Sequence, residues 1–162
     1  MDNYFLNLII SGAPDAAAYV RGSEDYPGIK GIVRLYGTRD GTLVCSEVCG
    51  LPFERDNPFM VFAYHIHSGA SCTGDAQDPF ADTLGHFNPK SREHPYHAGD
   101  LPPLFGNYGF AWNAVFTARF KPAEVIGKTV VIHKNPDDFV SQPSGNSGAK
   151  IACGVIQTNS RF

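Results

Sequence analysis

Charge is scarce in this chain of 162 residues. Only 18% of the residues are charged, and 13 basic against 16 acidic side chains leave a formal net charge of −3. That balance excludes both the acidic disordered tail and the basic excess of a nucleic-acid binder. Long apolar runs are missing as well: the longest candidates are short pieces such as 59–64, against the roughly 18 residues that cross a bilayer as a helix. A soluble protein is predicted, with no membrane span and no nucleic-acid partner. Cysteine, at four residues, is too sparse for a disulfide-scaffolded mini-protein, and the chain is long enough to build a core without one. The first ten residues also lack the basic start and unbroken apolar stretch of a secretory leader, because Asp2 and Asn7 interrupt them. A cytoplasmic location is the expectation that follows.

What is present points to strands. Seventeen glycines and twelve prolines punctuate short runs rich in Val, Ile, Phe and Tyr, a pattern that suits many short strands joined by turns. Period-2 alternation predicts strands over 17–21, 31–36 and 42–48, with turns at 25–28 and 38–41, as an antiparallel meander. Further strands are expected over 59–67, 110–117, 128–133 and 151–156. Two irregular stretches, 68–105 and 134–150, are far longer than ordinary connections and mark functional loops. The helical signal is confined to a short turn at 121–125, with Pro122 at the first helical position. One domain is expected over 1–162, and the apolar 4–6 and 8–10 in an extension over 1–16 either cover a barrel end or make a dimer contact.

The six histidines are the most informative feature. Residues i and i+2 of a strand point to the same face, so His65 and His67 present two imidazoles side by side, an arrangement that chelates a metal. Alone, a His-x-His on a strand is as often an ordinary hydrogen-bonded pair as a metal site. Its company decides: His86, His94 and His97 lie in the first long loop with Asp100, and His133 ends a strand, where sites gather. Imidazole nitrogen suits copper, zinc, iron or nickel.

Taken together, His65-Ile-His67, Gly85-His-Phe-Asn-Pro89, His97-Ala-Gly-Asp-Leu101, Val131-Ile-His133 followed by Asp137, and Gly145-Asn-Ser-Gly-Ala-Lys-Ile-Ala-Cys-Gly-Val155 resemble the copper/zinc superoxide dismutase family, of bacterial type, from about 17 to 156. The resemblance implies an all-β fold, an eight-stranded Greek-key barrel or sandwich carrying two long functional loops. It implies that His65, His67, His86 and His133 bind copper, and that His86, bridging the two metals, joins His94, His97 and Asp100 around zinc. Asp137 would accept N–H bonds from one copper and one zinc histidine, and Cys72 and Cys153 would form the disulfide.

Two positions depart from the family pattern. Only two residues separate His94 from His97, a shorter zinc subloop than in better-known members. Lys150 stands where the family has an arginine, keeping the charge but losing the rigid two-point fork. Cys45 and Cys49 have no family counterpart. Four residues apart on one strand they lie about 13 Å apart, too far for a mutual disulfide, and they are read as two free thiols in the barrel, with a cross-chain bond or a metal role as alternatives.

The implied activity is dismutation of superoxide to oxygen and hydrogen peroxide with copper cycling between Cu(II) and Cu(I), His86 carrying a proton and Lys150 attracting the anion. Superoxide is then the small-molecule partner, and a homodimer is a further expectation. The alternatives are a non-enzymatic metal-binding or copper-handling domain on the same fold and a purely structural β-sandwich, since fold alone does not fix function. Completeness of the copper set favours the enzyme.

Overall fold

In the computed structural model of the chain, residues 4–159 are described; 1–3, with the Asp2 used above, and 160–162 lie outside the described residues. The β-branched and aromatic runs pair into eight antiparallel strands. These are β1 (Ala16–Gly22), β2 (Lys30–Gly37), β3 (Thr42–Cys49), β4 (Phe59–His67), β5 (Asp100–Asn107), β6 (Phe110–Thr117), β7 (Thr129–His133) and β8 (Lys150–Thr158). They close in the order β1-β2-β3-β6-β5-β4-β7-β8, so no strand edge is left open. The meander of β1 to β3 is as expected, and β3 then pairs with β6, and β4 with β7, across the long connections.

Alternation sets the two faces of the wall. Val33, Leu35, Val44, Phe62, Tyr64 and Ile132 are buried in the central core, and burying each such side chain contributes about 1.5–3 kcal/mol. The hydroxyl of Tyr64 in that core is met by Ser46 Oγ at 2.9 Å, and burial lifts its pKa above the ordinary phenol range. Because Tyr64 and Ile66 face inward, His65 and His67 between and beside them face outward. Both are nonetheless buried, because the long loops lie over them.

β5 corrects the expectation of an unbroken irregular stretch over 68–105. Pro102 and Pro103 had hidden it, since proline cannot donate to a ladder. Register with β4 runs from Phe62↔Leu104 to Tyr64↔Leu101 with a bulge between, and the two prolines occupy that bulge. The extension before β1 is a second correction: Tyr4–Ser11 form a helix, α1. Its Leu8 and Ile9 pack against Tyr36, Leu43 and Cys45 on the outside of the wall, so α1 covers the barrel's flank. Cys45 is therefore buried beneath α1, outside the central core, and both it and the half-buried Cys49 are free thiols. The short helix α2 (Pro122–Val125) forms where Pro122 signalled it, and Glu124 Oε2 accepts the Lys121 N–H at 2.6 Å.

Cys72 and Cys153 form a disulfide that ties the first long loop to β8 across 81 residues of sequence. Closing a loop of that length stabilises the fold by about 4 kcal/mol in the chain-entropy picture. Among the described residues, no helix is long and apolar enough to cross a membrane.

Candidate metal centre

Two groups of ligand atoms converge above β4 and β7. His65, His67, His86 and His133 bring one nitrogen each within 4.8 Å of one another, and His86, His94, His97 and Asp100 do the same with three nitrogens and an oxygen. His86 belongs to both. It reaches the first group because its backbone bridges His67 at the root of the loop, and its ring lies 4.0 Å, centroid to centroid, from that of His65.

In the first group, the far nitrogens fix the tautomers. His67 Nδ1–H donates to the Leu84 carbonyl at 2.7 Å and His133 Nδ1–H to the Gly148 carbonyl at 3.2 Å. Both Nε2 atoms then carry bare lone pairs, and these face each other at 3.2 Å. Likewise His65 Nε2–H donates to Asp137 Oδ2 at 2.8 Å, leaving Nδ1 buried with no hydrogen-bond partner among the described residues, as is His86 Nε2. Lone pairs forced together in a dry pocket repel unless a cation lies among them, so the donor set fits a metal that prefers imidazole, copper above all.

Burial drives the pKa of His67 from 6.5 down to about 2, with the neighbouring His133 and His86 adding to the shift. Burial likewise takes His133 to about 3 and lowers His65 despite its bond to Asp137. All three rings are thus held neutral, the state in which imidazole ligates.

The second group is built from loop. His86 Nδ1 lies 2.7 Å from Asp100 Oδ1 and 3.3 Å from His97 Nδ1, which is itself 3.2 Å from that oxygen. His94 Nε2–H donates to Asp137 Oδ1 at 2.8 Å, so its bare Nδ1 faces Asp100 Oδ2 at 3.2 Å, a lone pair against an anion. Three nitrogens and one carboxylate oxygen disposed this way suit tetrahedral zinc. The short spacing between His94 and His97 is accommodated: both side chains turn to the same point.

Asp137 spans the groups. Burial pushes its pKa up, but N–H bonds from His65, His94 and the Phe139 amide outweigh that and hold it at about 2. In Asp100 too, burial is outweighed, by the contact with His86 and the nearby imidazoles of His97 and His94, and its pKa is lowered. Gly145 makes room for the bridge: its φ is +67°, and a Cβ there would collide with Asp137 Oδ1.

Three supporting residues escaped the sequence reading. Arg119 donates from one Nη to the carbonyls of Pro95, His97 and Asp100 at 3.0, 3.0 and 3.2 Å, pinning the zinc subloop to the end of β6. Gln142 takes the His94 N–H at 3.0 Å and donates to its carbonyl at 2.7 Å, joining the two long loops. Asn88 closes the turn to Arg92 through both its amide groups. No spacing rule flags the contacts of Arg119 and Gln142, because each reaches a carbonyl or amide placed by distant chain. Lys150 pairs in register with His133 on β8, but its ammonium is engaged by Asp78 Oδ2 at 2.6 Å and the Phe80 carbonyl at 3.0 Å.

Residues 29–156 match the sequence profile of the family described as copper/zinc superoxide dismutase. The second Cu-Zn superoxide dismutase of Aquifex aeolicus is 34% identical over 145 residues, 78% of this chain and 78% of its own. That of Deinococcus radiodurans is 36% identical over 135 residues, 72% of this chain and 71% of its own. The crystal structure of a SOD-like protein from Bacillus subtilis superposes with a TM-score of 0.71 at 25% identity, covering 86% of this chain and 96% of that one.

Proposed function

The chain belongs to the copper/zinc superoxide dismutase family, and we propose that His65, His67, His86 and His133 hold its copper while His86, His94, His97 and Asp100 hold its zinc. Its reaction is the conversion of two superoxide radicals and two protons to one oxygen and one hydrogen peroxide. The observation that carries the assignment is the pair of opposed lone pairs on His67 and His133, 3.2 Å apart, beside the unpartnered nitrogens of His65 and His86. A binding-only relative lacking a copper nitrogen would not assemble this set.

Copper, when bound, supplies the one-electron redox couple that zinc lacks, and zinc supplies charge and rigidity. The protein's part is placement and proton handling. Asp137 holds the N–H groups of His65 and His94 and so orients one ring of each metal set at once. His86 is held on its Nδ1 side among Asp100 and His97, so its ring stays in place while Nε2 takes up a proton. That atom then returns it as one of the two protons that peroxide requires. Lys150, in register with His133, contributes positive charge on the copper side.

The test is elemental analysis of protein reconstituted with copper and zinc, beside its superoxide-decay rate per bound copper. One of each metal per chain with decay well above that of free copper is expected. Bound metal without turnover would transfer the chain to the copper-handling alternative.

The proposal extends to partners. The net charge of −3 supports no nucleic-acid partner. Phe110, Trp112 and Phe116 are exposed on the outer face of β6, and Phe5 of α1 stacks near Phe116 at 5.4 Å. A second copy of the chain is the partner we assign to that apolar strip, and sedimentation at two concentrations would show a monomer if it is not.

A further inference from the structure

Lys150 carries the positive charge nearest the copper set on β8, yet that charge does not stand alone. Its Nζ meets Asp78 Oδ2 at 2.6 Å and the Phe80 carbonyl at 3.0 Å, with the lysine side chain 15% and the aspartate 39% exposed. Asp78 is itself fixed. Its Oδ1 accepts the Phe80 N–H at 3.0 Å, and its own N–H donates to Asp75 Oδ1 at 2.9 Å. The turn that bears it lies in the loop tied by Cys72–Cys153 to the strand that bears Lys150. Loop and strand are thus joined twice, once by a covalent bond and once by an ion pair.

We propose that Asp78 is a counter-charge that sets how strongly the copper side of the centre draws in small anions. This rests on the metal-centre reading above and deepens it. An opposed pair 2.6 Å apart acts at a distance as a dipole, whose potential falls off faster than that of a single charge. A monoanion beside His133 therefore feels Lys150 less strongly while Asp78 is ionised and in place than it would feel an unpaired ammonium. Neutralising Asp78 leaves the ammonium still seated on the Phe80 carbonyl, now with its full field. Asparagine at this position keeps an acceptor for the Phe80 amide and removes only the charge.

The experiment compares Asp78→Asn, Lys150→Gln and the double variant with wild type. Asp40→Asn, in the exposed turn between β2 and β3, serves as a control for net charge alone. The probe is azide, a small linear monoanion, titrated into copper- and zinc-loaded protein and read from the copper absorption band. Asp78→Asn is expected to bind azide about three- to tenfold more tightly at low salt, and the gain should vanish in about 0.5 M salt. Neither the double variant nor Asp40→Asn should show it. Equal azide affinity in Asp78→Asn and Asp40→Asn, or a gain that persists without Lys150, would overturn the proposal.

A second readout needs no metal: a double-mutant cycle on unfolding of the metal-free, disulfide-intact protein should show positive coupling between the two positions, and zero coupling would likewise overturn it. Failure of the loaded wild type to speed superoxide decay would instead strike the dismutase reading, leaving these two measurements to decide the role of Asp78.

Discussion

The two halves of the proposed metal centre share His86 but are made differently. Three of the four nitrogens on the copper side sit on barrel strands, His65 and His67 on β4 and His133 at the end of β7, and the ladder between β4 and β7 sets their spacing. On the zinc side, His86, His94 and His97 come from loop, and only Asp100 opens a strand. There the geometry depends on side chains that grip the main chain: Arg119 on three carbonyls, Gln142 on His94, Asp137 from across the centre. A site on strands inherits the rigidity of the sheet, whereas a site on loop must be stapled bond by bond. The copper half should therefore be preformed without metal, and the zinc half should respond to the loss of single staples.

The largest effect that would test this contrast comes from pH. If the copper-side rings are preformed and neutral in the metal-free protein, their folded pKa values lie below 6.5, at about 2 for His67 and about 3 for His133. The unfolded chain then takes protons first as pH falls through 6.5, and each ring removes up to about 1.4 kcal/mol of stability per pH unit below it. Denaturant unfolding of metal-free protein at pH 7, 6 and 5 should show this steep decline. A flat profile would mean that the rings open and charge within the fold, and the contrast would fail.

Next in size, Asp137→Asn should weaken both metals by about 10- to 100-fold, because one carboxylate orients a ring in each half. Metal-buffered titrations in which one ion kept its wild-type affinity would break the bridge. Arg119→Ala should cost about tenfold in zinc affinity, the loss of charge-assisted bonds to three carbonyls, with copper affinity unchanged; equal losses for both ions would erase the distinction between the halves. The smallest effect is expected for Gln142→Ala, about threefold in zinc from two neutral hydrogen bonds. Competition with a zinc chelator would resolve it, and a copper effect of the same size would count against the loop-built description.

The same contrast governs what the sequence discloses. His65 and His67 were readable as a same-face pair because the period of a strand is fixed, and every strand that alternates cleanly was placed to within a residue or two. β5 was missed because Pro102 and Pro103 sit in a bulge that only its pairing with β4 explains. α1 was missed because eight residues with apolar side chains at nearly every position carry neither a helical nor a strand period. In the centre itself, all the histidines were identifiable by type and motif. Arg119 and Gln142 were not, since their partners are main-chain atoms 19 to 48 residues away. The pairing of Lys150 with Asp78 was hidden for the same reason, being 72 residues apart in sequence.

The helix laid over the outer wall has one more consequence. This protein generates hydrogen peroxide as its product, and peroxide attacks cysteine only as the thiolate. Cys45 is sealed beneath Leu8 and Ile9, and burial raises its pKa against the opposing charge of Arg34. The thiol is thereby kept protonated and out of contact with the oxidant, so α1 acts as a shield for the barrel against the chemistry the barrel itself performs.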